Sequence, residues 1–280
     1  MKRMRGKSML WNTQSRQVVV NGETMNYIEF GKGEKALVIL PGLGDGISPV
    51  HGKLQAIAFA LGYKQFSKTF RVYLFSRKNC LNEGYSTRDM AKDQAEAMKT
   101  LGISKASVMG VSQGGMIAQY LAIDYPNLVN KLVLAVTLSK QNELIQEVVT
   151  GWIEMAKQKD YQSLIIDTAE KSYSEKYLKR YRLIYPLLGC LGKPKDFNRF
   201  LIQAESCIVH NSYPELDKIV CPTLVLGGEN DRIVSSNSSL ELTEKIKGSE
   251  LFLYKGLGHA TYEEATDFNS RVLNFLMRQI

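Results

Sequence analysis

Short, mostly apolar runs punctuate the chain. Ala36–Leu40, Val72–Phe75, Ser107–Val111, Leu132–Val136 and Thr223–Leu226 are each four or five residues long. Runs this short, without polar alternation, predict strands buried on both faces. Between them the apolar period changes. Over Asp89–Leu101 the apolar positions are Met90, Ala91, Ala95, Met98 and Leu101, the stripe of a half-buried helix. Gly114–Tyr125 reads as an apolar helix that stops before Pro126. Near the end of the chain, Ser239–Ile246 and Phe268–Met277 read as helices on either side of the strand Leu251–Tyr254. At the start, Gln17–Val20 and Met25–Phe30 flank Asn21-Gly22, the signal of a tight hairpin. Strands alternating with helices predict an α/β protein with a doubly wound, mostly parallel sheet.

The alternation fails between Ser139 and Tyr213. That stretch holds helical patterns and many tyrosines (Tyr161, Tyr173, Tyr177, Tyr181, Tyr185), but no buried-strand run. The strand pattern resumes at Thr223, after Cys221-Pro222. The expected organisation is therefore a core made of residues 17–138 and 214–280, a helical insertion over 139–213, and a basic extension over 1–16.

Composition narrows the class. The chain has 280 residues, 44% hydrophobic and 23% charged, which excludes a disordered chain. Its net charge is +8, of which Lys2, Arg3, Arg5 and Lys7 supply half. No basic run is dense enough for a nucleic-acid arm, and no aromatic-plus-basic pattern of an RNA-binding sheet is present, so no nucleic-acid partner is expected. Cys80, Cys190, Cys207 and Cys221 form no CxxC pair and no zinc spacing. The basic start is followed by polar Asn12-Thr13-Gln14-Ser15, unlike a signal peptide. No apolar run approaches the roughly 20 residues that span a bilayer. A cytoplasmic protein with reduced thiols is expected, with no metal or organic cofactor.

The sharpest chemical signal is Gly110-Val111-Ser112-Gln113-Gly114, a G-x-S-x-G pattern where a buried strand gives way to a helix. Such a turn lifts a serine above the sheet, and the helix N-terminus favours negative charge developing beside it. A serine hydroxyl needs a base, and the base an orienting acid. The chain has three histidines. His259 follows the last strand within Gly256-Leu257-Gly258-His259, at the end where parallel sheets carry functional groups. It is the preferred base. His210 lies in the insertion, and His51 follows the loop after the first buried strand, where it could face the same pocket. Asp231, after Thr223–Gly227, is the preferred acid, with Glu229 as competitor. The Gly-rich Pro41-Gly42-Leu43-Gly44-Asp45-Gly46 loop suits an oxyanion hole, with Leu43 and Gln113 N–H groups as the donors. It lacks the Lys-Ser/Thr of a P-loop and the G-x-G-x-x-G of a dinucleotide fold.

These four elements occur in the order Ser112, Asp231, His259. The chain resembles the α/β-hydrolase superfamily over residues of about 17–280. Two departures stand out. The oxyanion loop opens with Pro41-Gly42, where many members have His-Gly. Where many members have an Asp-x-Arg-Gly-x-Gly turn, the segment from Phe75 to Ser86 keeps in outline only Arg77 and the final Gly84-Tyr85-Ser86. The resemblance implies the α/β-hydrolase fold, with 139–213 as its helical cap, or lid. It also implies a Ser-His-Asp hydrolase that cleaves a small to medium ester, thioester or lactone through an acyl-enzyme. Its partner would be a small-molecule acyl substrate held in part by the cap, with Trp152 and His51 as candidate contacts. The alternatives are a C–C bond hydrolase and a ligand sensor on the same scaffold. Residues 171–199 carry eight basic and two acidic residues, which raises the question of an anionic substrate.

Overall fold

In this computed structural model residues 12–188 and 193–279 are described. Cys190 and the basic start, with Lys2, Arg3, Arg5 and Lys7, lie outside them. The first two strands, β1 (Gln14–Val20) and β2 (Glu23–Phe30), pair antiparallel around Asn21 and Gly22, both at positive φ (50° and 83°). Two successive left-handed residues are what a type I′ turn needs, and Asn-Gly supplies them at least cost. β1 starts at Gln14, so the expected extension ends before residue 16. The edge strand carries exposed Gln14, Ser15 and Arg16, which pair with Glu29, Ile28 and Tyr27 and show no apolar period.

Six further strands complete one sheet. They are β3 (Lys35–Leu40), β4 (Phe70–Lys78), β5 (Ala106–Val111), β6 (Val129–Ala135), β7 (Thr223–Gly228) and β8 (Glu250–Tyr254). The spatial order is β1-β2-β4-β3-β5-β6-β7-β8, and every pairing from β4 through β8 is parallel. The helices outside the insertion are α1 (Lys53–Gly62), α2 (Thr87–Thr100) and α3 (Gln113–Asp124), then α9 (Ser236–Lys245), α10 (Thr261–Glu264) and α11 (Phe268–Met277). α1 has no counterpart among the predicted helices. Its leucines Leu54 and Leu61 are exposed and only Ala56 and Ala60 are buried, so its sequence carries almost no helical stripe.

Both faces of the sheet are covered, as the unbroken apolar runs require. In β3, Val38 and Leu40 join an apolar cluster with Met90, Met98 and Ile117 from α2 and α3. Leu37 and Ile39 point the other way, toward Ala56, Phe268 and Phe275. The start of α2 carries a capping box, in which Ser86 accepts from the Asp89 N–H and Asp89 accepts from the Ser86 N–H.

Between β6 and β7 the chain forms α4 (Glu143–Lys157), α5 (Tyr161–Ser172), α6 (Glu175–Tyr181), α7 (Tyr185–Leu188) and α8 (Asn198–Ile208). Asn142, Asp160 and Ser174 cap the first three of these through side-chain oxygens. α4 buries Ile145, Val148, Val149, Trp152, Ile153 and Ala156, one helical face. That face packs on Phe200, Ala204 and Cys207 of α8 in a cluster that also takes in Leu43, Met116, Ile233 and Val234. The inserted helices thus share apolar contacts with the loops at the C-terminal ends of the strands. A bridge between Lys140 and Asn211 draws the two ends of the insertion together.

His210 lies in this stem, buried. Its ring nitrogens stand 2.8 Å from Thr87 Oγ1 and 3.2 Å from Ser212 Oγ, and its ring meets Tyr120 edge-on. Burial pulls its pKa down to about 3, so at neutral pH it is an uncharged structural residue. The folded protein resists protonation that the unfolded chain accepts near pH 6.5. Stability contributed by His210 is therefore complete above about pH 6.5 and lost as pH falls from there toward about 3. In urea titrations, His210→Asn is expected to flatten the decline in unfolding free energy between pH 6.5 and 4.5. An unchanged slope refutes this role.

Candidate active site

Ser112 sits where β5 turns into α3, at φ 52° and ψ −120°. A non-glycine residue there carries strain of about 1–3 kcal/mol and needs support on all sides. Its N–H donates to the Ala135 carbonyl at 2.9 Å. Its own carbonyl accepts from Thr137 Oγ1 at 2.7 Å and from the Gly115 N–H at 2.8 Å. The glycines around it are steric requirements. A Cβ at Gly114 would overlap the Leu40 carbonyl, and one at Gly110 would overlap the Gly114 carbonyl.

The structure brings Ser112, His259 and Asp231 together from three loops. His259 Nε2 lies 2.9 Å from Ser112 Oγ, and His259 Nδ1 lies 2.8 Å from Asp231 Oδ2. His259 and Asp231 are both buried. Asp231 Oδ1 accepts the N–H groups of Ile233 (2.9 Å) and Val234 (3.0 Å), so both carboxylate oxygens are fixed. Burial alone would raise the Asp231 pKa. His259 and the two backbone donors outweigh it and hold the carboxyl below its ordinary value. Glu229 is exposed, and its Oε2 accepts from the Gly256 N–H at 3.2 Å, bracing the turn that follows β8. It makes no bond to His259. The Asn230 N–H reaches the Leu257 carbonyl at 2.9 Å, so the acid and histidine loops lie against each other.

Leu43 opens a 3-10 turn (Leu43–Gly46) and Gln113 opens α3. The first N–H of a helix has no acceptor within that helix. Both residues adjoin Ser112, since a Cβ on Gly42 would stand 3.3 Å from Ser112 Cβ. The Gln113 side chain, in contrast, is buried away from the cavity. Its Oε1 accepts from Arg77 Nη2 at 2.9 Å, and its Nε2 donates to the Gln203 carbonyl in α8 at 2.7 Å.

Sequence reasoning missed the charged group behind this loop. Arg77 is fully buried near the end of β4, and its Nη2 also donates to the Pro41 carbonyl at 2.7 Å. Asp45 accepts from Ser76 Oγ at 2.6 Å, from the Arg77 N–H at 3.1 Å and from Arg199 Nη2 at 2.6 Å. Arg199, from α8, further donates to the carbonyls of Asp45, Arg77 and Lys78. Burial pushes the Asp45 carboxyl up, and Arg199 and Arg77 outweigh it, leaving the pKa lowered. Burial pulls Arg77 down to about 10, against the pull of Asp45. The surviving Arg of the broken Asp-x-Arg-Gly-x-Gly pattern was the available signal.

A cavity of about 430 Å³ opens over Ser112 and His259. Trp152, Thr168 and Tyr173 of the inserted segment line it, opposite Phe59, Tyr63 and Val111. The Trp152 indole N–H is bound to Asp167 Oδ2 at 2.7 Å, so the residue offers the cavity its apolar ring. His51 is not at the site. It is exposed in a separate surface dimple, with Nδ1 2.8 Å from the Pro49 carbonyl, because Gly52 turns the chain outward into α1. No group of three or more His, Cys, Asp or Glu that could hold a metal occurs among the described residues. No helix there is long and apolar enough to cross a membrane.

A family model described as the alpha/beta hydrolase fold matches residues 35–266. The mouse protein "Serine hydrolase BPHL" is 29% identical over 275 residues, covering 94% of this chain and 86% of the relative. A Klebsiella pneumoniae 2-hydroxy-6-oxononadienedioate/2-hydroxy-6-oxononatrienedioate hydrolase is 28% identical, covering 89% of each. Among solved structures, an alpha/beta hydrolase enzyme from a Medee basin deep-sea metagenome library superposes with a TM-score of 0.81 at 22% identity, covering 95% of this chain and 98% of its own.

The buried charges behind the loop generate a stability prediction. Asp45→Ala strands two arginines, and breaking a buried ion pair costs about 3–5 kcal/mol. Chemical denaturation is expected to show a loss in that range. A loss under about 1 kcal/mol would mean that the charges are solvated.

Proposed function

Because the chain belongs to the α/β-hydrolase family, we propose that it is a serine hydrolase cleaving a small to medium ester, thioester or lactone through an acyl-enzyme. The observation that carries this reading is the hydrogen-bonded run from Ser112 Oγ through His259 to Asp231 at the floor of a cavity. Ser112 Oγ attacks the carbonyl carbon while its proton passes to His259 Nε2. Asp231 fixes the imidazole through Nδ1 and stabilises the imidazolium that forms. Negative charge gathers on the former carbonyl oxygen, where the N–H groups of Leu43 and Gln113 receive it. His259 then protonates the departing alcohol or thiol. Water, deprotonated by His259, attacks the acyl-enzyme, and Ser112 leaves with its proton restored. Residues 139–213 act as the cap, with Trp152 as a substrate wall.

A second reading, cleavage of a C–C bond next to a ketone, is favoured by the relatives named 2-hydroxy-6-oxononadienedioate/2-hydroxy-6-oxononatrienedioate hydrolase. The same nucleophile and acceptor would serve, with a carbon leaving group protonated before it departs. Activity on vinylogous diketones with none on simple esters would mark that chemistry.

Ser112→Ala is expected to lower kcat/KM on aryl esters by about 10⁴-fold or more. It is also expected to abolish covalent labelling by a fluorophosphonate, read by mass spectrometry of the intact protein. Undiminished turnover in this variant overturns the mechanism.

A further inference from the structure

Glu263 is a solvent-exposed carboxylate at the cavity wall that the proposed chemistry does not use. Glu263 lies in α10, four residues after His259, and lines the same cavity as Ser112. Its Oε2 accepts from the Tyr173 hydroxyl at 2.5 Å. Burial first, and the Glu263 charge second, raise the Tyr173 pKa, so this phenol stays a donor to the carboxylate. The next residue, Glu264, is committed elsewhere, to the Ser174 N–H (2.9 Å) and hydroxyl (2.5 Å).

No lysine or arginine among the described residues lines the cavity. The basic segment 171–199 spends its charge outside it. Lys171 pairs with Asp167, Arg182 with Glu170 and Glu175, and Arg199 with Asp45. Lys176 lines a different groove, behind Asp231, together with Arg232 and Lys255. The other carboxylate at the cavity wall, Asp45, is balanced by Arg77 and Arg199. Glu263, itself exposed to solvent, is therefore the lining carboxylate that no cation among the described residues balances. The aromatic walls, Phe59, Tyr63, Trp152 and Tyr262, add negative ring faces of the kind that attract cations and repel anions.

We propose that Glu263 makes this cavity select its acyl group by charge, rejecting chains that carry a carboxylate and accepting those that are uncharged or carry an ammonium. The inference rests on the ester-hydrolase reading for its kinetic form. It answers the question raised by the basic insertion in the negative, because none of those cations lines the cavity.

The test uses three aryl esters of matched length, with hexanoyl, 5-carboxypentanoyl and 5-(trimethylammonio)pentanoyl groups. At low salt kcat/KM for the carboxylate ester is expected to fall below the hexanoyl ester by on the order of tenfold or more, and the gap to narrow as salt rises. Glu263→Gln keeps an acceptor for Tyr173 but removes the charge. It is expected to raise the carboxylate-to-hexanoyl ratio about fivefold or more and to lower the ammonium-to-hexanoyl ratio. A role confined to folding would move all three esters together. Equal turnover of the carboxylate and hexanoyl esters, or ratios that ignore Glu263→Gln, overturns the inference while phosphonate labelling of Ser112 leaves the hydrolase reading standing. If neither labelling nor ester turnover occurs, that reading fails, and binding decides the charge preference. In that case Ser112→Ala is expected to be thermally stabilised by hexyltrimethylammonium and not by heptanoate, and the reverse order overturns the inference.

Discussion

The geometry of the cavity floor depends on one backbone conformation, that of Ser112 at φ 52° and ψ −120°. Relaxing it to an ordinary strand or helix value would swing the hydroxyl away from His259. The surroundings forbid that relaxation. Ser112 is bonded to Ala135 through its N–H and to Thr137 and Gly115 through its carbonyl. The next strand end bends in the same sense, with Val136 at φ 45° and its N–H on the Leu226 carbonyl. Strain at Ser112 is thus held by the parallel pairing of β5 with β6 and of β6 with β7. The rigidity of the sheet is transmitted to a single oxygen atom.

The Pro41–Gly46 loop is held from behind by charge rather than by pairing. Arg77 grips the Pro41 carbonyl and the Gln113 side chain, and so ties this loop to the first residue of α3. Asp45 needs both Arg77 and Arg199, and Arg199 comes from the inserted helices. Gln113 itself reaches the Gln203 carbonyl. The sheet, the loop and α8 therefore meet in one buried polar network. An apolar core could have filled that volume at lower desolvation cost, but without directional bonds between the loop, α3 and α8.

Most of the core was legible in the sequence because strands buried on both faces leave a distinctive mark. Ala36–Leu40, Ser107–Val111 and Thr223–Leu226 fall within strands at nearly those bounds. The residues brought together at the site were legible for a related reason. Each follows a strand of the parallel sheet, and the end of a parallel strand is where a side chain can stand clear of the sheet. What escaped had no period to show. β1 begins in polar edge residues, α1 exposes its leucines, and His51 owes its outward position to a loop. Arg77 and Arg199 are far apart in sequence, so nothing local announces that they converge on Asp45. Glu263, exposed in a short helix, carries no signal in the sequence, and only the cavity lining singles it out.

The trio of Asp45, Arg77 and Arg199 has a consequence for how sequences of this kind can diverge. Each charge is tolerable only while the others are present, since an unpaired charge in that position carries a penalty of several kcal/mol. Single replacements at these positions lead through a poorly folded intermediate. The three sites, drawn from a loop, a strand and an inserted helix, then behave as one heritable unit. The helical insertion cannot be exchanged for another by recombination unless the incoming segment brings its own partner for Asp45.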